Sequence, residues 1–372
     1  MADWVIKKVE DCFVFIKNGA NIRQEKNAGG LPITRIETLS GGIFNRDRLG
    51  YANIFSLGKY ASYILESGDL LFSHINSKAY IGRTVMYERE GNEIIIHGMN
   101  LLRMKVDASI VISKFIFYFF NSEFFRNKVA SYRKDAVNQS SISISDLKKI
   151  EIHIPPLNMQ QRIVAELDLL SGIIEKKNAQ LKTLDELAQS IFYEMFGDPR
   201  ENELKWNSKA FKDVFKLKSG DGLKEKDFIP GKYPVFGGNG ISGYHNAYNK
   251  NGEHIIIGRV GAYCGNVRYV NNDFWLTDNA FDAFFNTSEF DYQFVSWLLN
   301  ILDLHRFANH AAQPVISNAG LRELSIIIPP IGLQTDFANK ISAIEHTKKL
   351  VTASLETTRQ LLDSRMDKYF NV

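Results

Sequence analysis

Two stretches of the chain share one order of apolar and polar positions. IHIPPLNMQQRIVAEL fills 152–167, and IIIPPIGLQTDFANKI fills 326–341, 174 positions later. Each begins as an apolar run of β type and meets a proline pair. Proline disfavours helix in the residue before it and cannot donate to a ladder, so a strand must end there. A helix start follows. Asn158 with Gln161 three positions later has capping-box spacing, and Gly332 takes the cap position in the second copy. Beyond each start the apolar residues recur at intervals of three and four. They are Ile163, Leu167, Leu170, Ile174, Leu181, Leu184, Ala188, Ile191 and Met195, then Phe337, Ile341, Ile344, Val351, Leu355, Leu362 and Tyr369. Such a stripe, held over several heptads, predicts two long helices with a coiled-coil seam, over 158–197 and 332–372. Each would be about 55 Å long and needs a partner for its stripe. The simplest packing runs the second back along the first, antiparallel.

The repeat reaches further in both directions. SISISDLKKIEI at 141–152 aligns with VISNAGLRELSI at 315–326, Gln139 with Gln313, and Phe196 with Phe370. It therefore divides the chain into region, helix, region, helix, with approximate two-fold symmetry. The regions 1–157 and 198–331 mix short β-type runs with Gly/Asn turns. The runs are DLLFSHI (69–75), NEIIIHG (92–98), EHIIIGRV (253–260) and FDAFFN (281–286). One helical stretch comes late in each, at 113–132 and 291–309. No regular strand–helix alternation is present, so the fold class expected is α+β, as two globular domains separated by the two antiparallel helices. Outside the shared frame the regions differ: LPITRIETLSGGIFNRDRL (31–49) has no close counterpart to KYPVFGGNGISGYHNAYN (232–249). Two similar scaffolds with unlike loops suit a molecule that reads two different things, since function sits on loops.

Composition narrows the chemistry. Among 372 residues there are 45 basic and 42 acidic side chains, a net charge of +3, so a nucleic-acid binder must gather its cations on one face. The two cysteines, Cys12 and Cys264, form no framework and suit a reducing compartment. The N-terminus lacks the basic-then-apolar order of a signal peptide, and the longest apolar run, IVISKFIFYFF (110–120), is too short for a membrane span, so a cytoplasmic location is expected. GNGISG (238–243) fits GxGxxG, but turn-like residues follow where a dinucleotide site needs a helix. GRVGAYCG lacks the GK[ST] of a phosphate loop, and no paired Cys/His spacing suggests a metal. IPPL and IPPI carry isoleucine where an amino-methyltransferase motif has Asp or Asn, and Ile154 or Ile328 cannot accept a hydrogen bond from a target amine. No catalytic centre is legible, which leaves a binding protein.

IPPLNMQQRIVAELD, the closing YEMFGDP, YPVFGGNGISGYHN, IIIGRVGAYCGNV and WLTDNAF, in this order and with this duplication, resemble the specificity subunit of type I restriction–modification systems. The resemblance covers essentially the whole chain, although Thr335-Asp336 departs from the usual second helix start. It implies a chain that does no chemistry and binds no cofactor. Each globular region would be a target-recognition domain reading one half of a bipartite site in double-stranded DNA. The helices would fix the unread spacer and dock two modification subunits, which carry S-adenosylmethionine. Restriction subunits would supply ATP- and Mg-dependent translocation and cleavage. A self-contained DNA methyltransferase or methylase–nuclease, and a coiled-coil scaffold that binds proteins through its globular ends, are the competing readings.

Base readout calls for Arg towards guanine and Asn or Gln towards adenine, on loops that reach a groove; phosphate contacts call for Lys, Arg and small polar groups. In the first region the candidates are Arg35, Asn45, Arg46 and Arg48, then Ser73, His74, Asn76, Lys78, Tyr80 and Arg83, then Gln139, Ser140 and Ser141. In the second they are Asn239, Ser242, Tyr244, His245 and Asn246, then Arg259, Tyr263, Asn266 and Arg268, then Thr277 and Asn279, with Gln313 matching Gln139. Lys78 and Arg259 lead, each beside a turn that follows a buried-type strand. Asp278 would repel phosphate and suits a structural cap or an acceptor from cytosine. Gly237, Gly238, Gly240 and Gly243 set backbone angles, and several of the asparagines serve turns first.

Overall fold

The repeated proline–glutamine signature is explained by two buried side chains. In the computed structural model, which describes residues 4–25, 28–136, 139–309 and 314–371, Gln160 and Gln334 are both fully buried. Gln160 Oε1 accepts from the Ile112 amide at 2.9 Å, and its Nε2 donates to the carbonyls of Pro155 and Ile110 at 2.9 and 3.0 Å. Gln334 repeats this: Oε1 accepts from the Asp291 amide at 3.0 Å, and Nε2 donates to Pro329 and Glu289 at 2.8 and 2.9 Å. Ile112 and Asp291 are the residues that open the helices Ser113–Asn121 and Tyr292–Ile301. Each glutamine thus ties the first turn of a long helix to the head of a shorter one. It satisfies an amide at that head, and each carbonyl it uses lies away from regular ladders.

The long helices run Leu157–Phe196 and Ile331–Phe370. Each opens one residue earlier than the cap assigned from sequence, directly on the proline pair. Asn158 and Gly332 therefore lie inside the first turn rather than at the cap. None of the stripe residues is exposed. The chain divides into two units, Met1–Lys176 with Ser354–Val372, and Lys177–Ala353, so each long helix contributes one part to each unit.

In the first unit a four-stranded antiparallel sheet has the order Phe13–Asn18, Leu102–Val106, Leu70–Phe72, Thr84–Met86. Helices Ser113–Asn121 and Glu123–Tyr132 cover it. The sequence pattern predicts a single helical stretch over 113–132. Ser122 divides them, because its extended backbone lets its hydroxyl cap the second by accepting from the Phe125 amide at 3.2 Å. Phe120 stacks on Phe125 at 4.3 Å, and Phe72 meets both edge-on. Phe370 closes this core against Phe115 and Phe119 at 5.4 and 5.8 Å. Beside it, on the second long helix, Arg365 pairs with Glu166 of the first at 2.9 Å. The run at 92–98 forms no strand: Ile96 makes isolated bridges to Ile33 and Ile64.

The second unit repeats the plan. Its four-stranded sheet has the order Lys216–Ser219, Ala280–Phe284, Glu253–Gly258, Val267–Asn271. Tyr292–Ile301 packs on it, and Asp291 caps that helix through the amides of Gln293 and Phe294. The predicted helical run stops at Asp303, which takes a left-handed φ of 52°. Phe196 stands where Phe370 stands in the first unit, 4.8 Å from Phe294 and 5.4 Å from Phe337. Asp185 pairs with Lys348 at 2.7 Å, whereas Phe192, further along, meets Phe337 at 5.5 Å, so the two long helices run antiparallel here. Before each proline pair the chain completes a two-stranded antiparallel ribbon, Val5–Lys8 with Glu151–Ile154 and Ser208–Ala210 with Ser325–Ile327. Both cysteines are buried and free.

Candidate nucleic-acid interface

In the first unit, the loops after Ala20, around 35–48 and around 76–83 enclose a groove of about 900 Å³. Arg35, Arg48, Asn76, Tyr80 and Arg83 line it together. Arg83 lies over the Tyr80 ring, 4.5 Å from its centroid, and its Nη1 donates to the Leu39 carbonyl at 3.3 Å. Arg35 pairs with Glu37 at 3.3 Å. Arg48 is exposed and has no side-chain partner among the described residues. Arg23, Gln24 and Asn100, among other lining residues, are not legible as candidates from the sequence. The Gln24 Oε1 is buried without a partner, and a side chain at Gly50 would stand 1.7 Å from it. The glycine at 50 therefore makes room for that amide, a signal visible only once the two residues are neighbours.

The other first-unit candidates are spent on structure or stand apart from the groove. Arg46 is fastened to Glu93 at 2.6 Å and Glu90 at 2.8 Å and donates to the Glu88 carbonyl, and the Arg46 guanidinium holds the Glu93 carboxyl down to about 2. Asn45 caps a short turn, accepting from the Asp47 amide. Asn76, although it lines the groove, already donates to buried Ser73 and accepts from the Ser77 amide. Ser140 donates to Asp135 at 2.6 Å, and Ser141 sits in a ladder opposite Ile75. His74 is buried with its Nδ1 unpartnered, and burial lowers its pKa. Lys78 is free enough for phosphate, its side chain 72% exposed and 3.8 Å from Asp135. Gln139 is exposed.

The second unit has a groove of about 950 Å³ built differently. Its wall is the hairpin Tyr233–Gly237 and Gly240–His245, so the GxGxxG run is a strand–turn–strand and not the start of a helix. Gly238 packs with its Cα against backbone, where a Cβ would meet the Val260 carbonyl at 2.6 Å. Asn239, Ser242, Thr277 and Asn279 line the groove with Asp278, and Lys224 and Lys226, which sequence reasoning missed, form the facing loop. Thr277 is only 4% exposed and its Oγ1 has no partner. Arg268 and Arg259 buttress these walls: Arg268 Nη2 donates to the Asn239 carbonyl at 3.2 Å, and Arg259 Nη1 reaches the Asp278 carbonyl and Ser219 Oγ at 3.4 Å. His245 is buried, its Nδ1 accepting from the Ile229 amide. Tyr244, Asn246, Tyr263 and Asn266 are exposed outside the groove lining. Gln313 lies outside the described residues.

A buried charge cluster stiffens the second unit's sheet. Asp282, 1% exposed, accepts from Lys250 at 2.9 Å and from His254 Nδ1 at 3.0 Å, while His254 Nε2 faces the Asn251 carbonyl at 3.1 Å. The bond to Asp282 raises the His254 pKa against the opposing effect of burial. A raised folded pKa adds stability that is complete below the unfolded value of about 6.5 and is lost as pH rises through the folded one. His254→Gln should therefore destabilise the protein at pH 6, with the gap to wild type closing by pH 9. Urea midpoints at the two pH values measure this, and an equal gap at both would remove the imidazolium from the account.

The duplicated frame thus carries two unlike grooves. The chain belongs to the type I restriction modification DNA specificity domain family, whose model matches residues 1–183 and 203–357. It is 34% identical over 194 residues to a Methanocaldococcus jannaschii protein assigned as the type I restriction enzyme MjaX specificity subunit, covering 52% of this chain and 45% of that one. It is 30% identical over 241 residues to the type I restriction enzyme EcoprrI specificity subunit of Escherichia coli, covering 59% and 58%. The chain thus spans about half the length of these curated relatives. The crystal structure of a type I restriction-modification S subunit from M. genitalium shares the fold, with a TM-score of 0.65 at 16% identity over 99% of this chain and 96% of that one.

Proposed function

We propose that this chain is the specificity subunit of a cytoplasmic type I restriction–modification complex and does no chemistry itself. Each unit reads one half of a bipartite target in double-stranded DNA through its groove. The long helices fix the spacer between the halves and dock two modification subunits. Those subunits bind S-adenosylmethionine, and restriction subunits use ATP and Mg. The observation that carries this reading is the pairing of a repeated frame, latched by Gln160 and Gln334, with grooves of different composition. Symmetry on the helix surfaces supports two copies of one partner. Exposed apolar residues recur at equivalent positions: Leu157 and Ile331 (38% and 41% exposed), Met159 and Leu333 (37% and 36%), Leu187 and Leu361 (46% and 43%). Exposed apolar groups so placed suit protein–protein contact.

The test is selection from a library of duplexes with two randomised halves and variable spacing. Inserting one helical turn into both long helices should change the preferred spacer and leave both half-site sequences intact. Return of the original spacer would refute the ruler role. Binding should also weaken steeply with salt, because phosphate contacts release counterions.

A further inference from the structure

The two grooves differ in the kind of cation they offer, and the difference bears on which bases are read. In the first unit Arg83 is held ready. Its amide donates to the Tyr80 carbonyl at 3.2 Å, and its carbonyl accepts from the Ser73 amide at 2.9 Å. Its side chain is fixed by the Tyr80 ring at 4.5 Å and by one Nη1 bond to Leu39. Among the described residues, Nε and Nη2 have no partner. The guanidinium therefore keeps an open edge of parallel N–H donors on the groove, with little rotamer freedom left to lose on binding. Other cations of the region differ. Arg46 is tied to Glu93 and Glu90, Arg35 is paired with Glu37, and Arg23 and Arg48 are exposed and, among the described residues, without a side-chain anchor, which suits phosphate.

The second groove has no arginine among its described lining residues. The nearby Arg259 and Arg268 donate to backbone carbonyls of its walls, leaving lysines, the carboxylates Glu225, Asp227 and Asp278, amides and hydroxyls to face a ligand.

We infer that Arg83 is a base reader, and that the half-site read by the first unit holds a guanine facing it. Two parallel N–H donors match the O6 and N7 acceptors that guanine alone presents together in the major groove. A lysine at 83 would supply charge without that fork. The inference rests on the DNA-reading role proposed above and names the base and the residue.

The experiment uses the full chain in split-site selection, with wild type, Arg83→Lys, Arg83→Ala and Thr277→Val. Thr277→Val identifies the half belonging to the second unit. In wild type, the other half should contain an invariant guanine. Arg83→Ala should lower affinity for the selected duplex roughly 5- to 150-fold and make that position degenerate, with every other position unchanged. Arg83→Lys should narrow the discrimination without abolishing it, because an ammonium still reaches O6 and N7 but lacks the fixed fork, and it carries the test should the alanine variant fail to fold. The inference is overturned if the guanine preference is undiminished in Arg83→Ala or Arg83→Lys, if no invariant guanine occurs in that half, or if all positions weaken alike, which marks a phosphate contact. Enrichment of no split sequence by wild type would instead overturn the DNA-reading role itself.

Discussion

Arg103→Met is expected to destabilise the first unit by about 3–5 kcal/mol at pH 7. Arg103 and Asp69 are buried, 5% and 1% exposed, and Arg103 Nε donates to Asp69 Oδ2 at 2.6 Å. They join neighbouring strands of the sheet, Leu102–Val106 and the entry to Leu70–Phe72. The same Asp69 oxygen accepts from the Glu66 amide at 2.8 Å, while Oδ1 has no partner. Burial pushes the Asp69 carboxyl up, with the Glu66 amide and Arg103 pulling back. Removing the guanidinium leaves a buried carboxylate with one backbone donor, and its pKa must rise further. The sign follows: below that raised value the carboxyl takes a proton and the penalty is relieved, so the deficit should be largest at neutral pH and smaller at pH 5. Denaturant unfolding of wild type and Arg103→Met at both pH values measures it. Adding Asp69→Leu should recover much of the loss, since a matched apolar pair removes the stranded charge. A deficit independent of pH would place the cost in lost packing instead.

The second large effect concerns the repeated phenylalanines. Phe196→Ala and Phe370→Ala should each cost about 3–5 kcal/mol, the range for emptying a buried aromatic site. Both side chains are buried, at 0% and 5% exposure. Phe196 touches Phe192, Phe294 and Phe337. Phe370 touches Phe115 and Phe119. Because each belongs to a different unit, amide exchange should report the damage separately. Phe370→Ala should loosen helix Ser113–Asn121 and spare Tyr292–Ile301, and Phe196→Ala should do the reverse. Loss of protection in both helices from either substitution would contradict the division into two units.

The parts legible in sequence were those set by local periodicity. The heptad stripe and proline pairs placed two 40-residue helices, because a sustained apolar spacing has few solutions. The alignment of Phe196 with Phe370 also became a shared structural role. The purpose of the glutamine after each proline pair lies in contacts with residues more than 40 positions away, which no local pattern contains. Grooves were harder still. Arg46 and Arg48 are equivalent as letters, yet one is clamped by glutamates and the other lines the first groove. Glu90 and Glu93 decide that difference from a distant loop. Gln24 is illegible for the same reason, since the bare glycine that accommodates it is 26 residues away. Polar residue type marks a candidate, and tertiary partners determine whether its hydrogen-bonding capacity is still available.

The allocation of residues 354–372 to the same unit as residues 1–176 has a consequence for synthesis. A nascent chain can assemble the later-made body from one contiguous segment, whereas the earlier-made one lacks its closing phenylalanine until Phe370 itself has been made. Birth order and completion order are thus inverted. In the interval, the ring faces of Phe115 and Phe119 are uncovered, an apolar seat that invites a chaperone or a neighbouring ribosome's product.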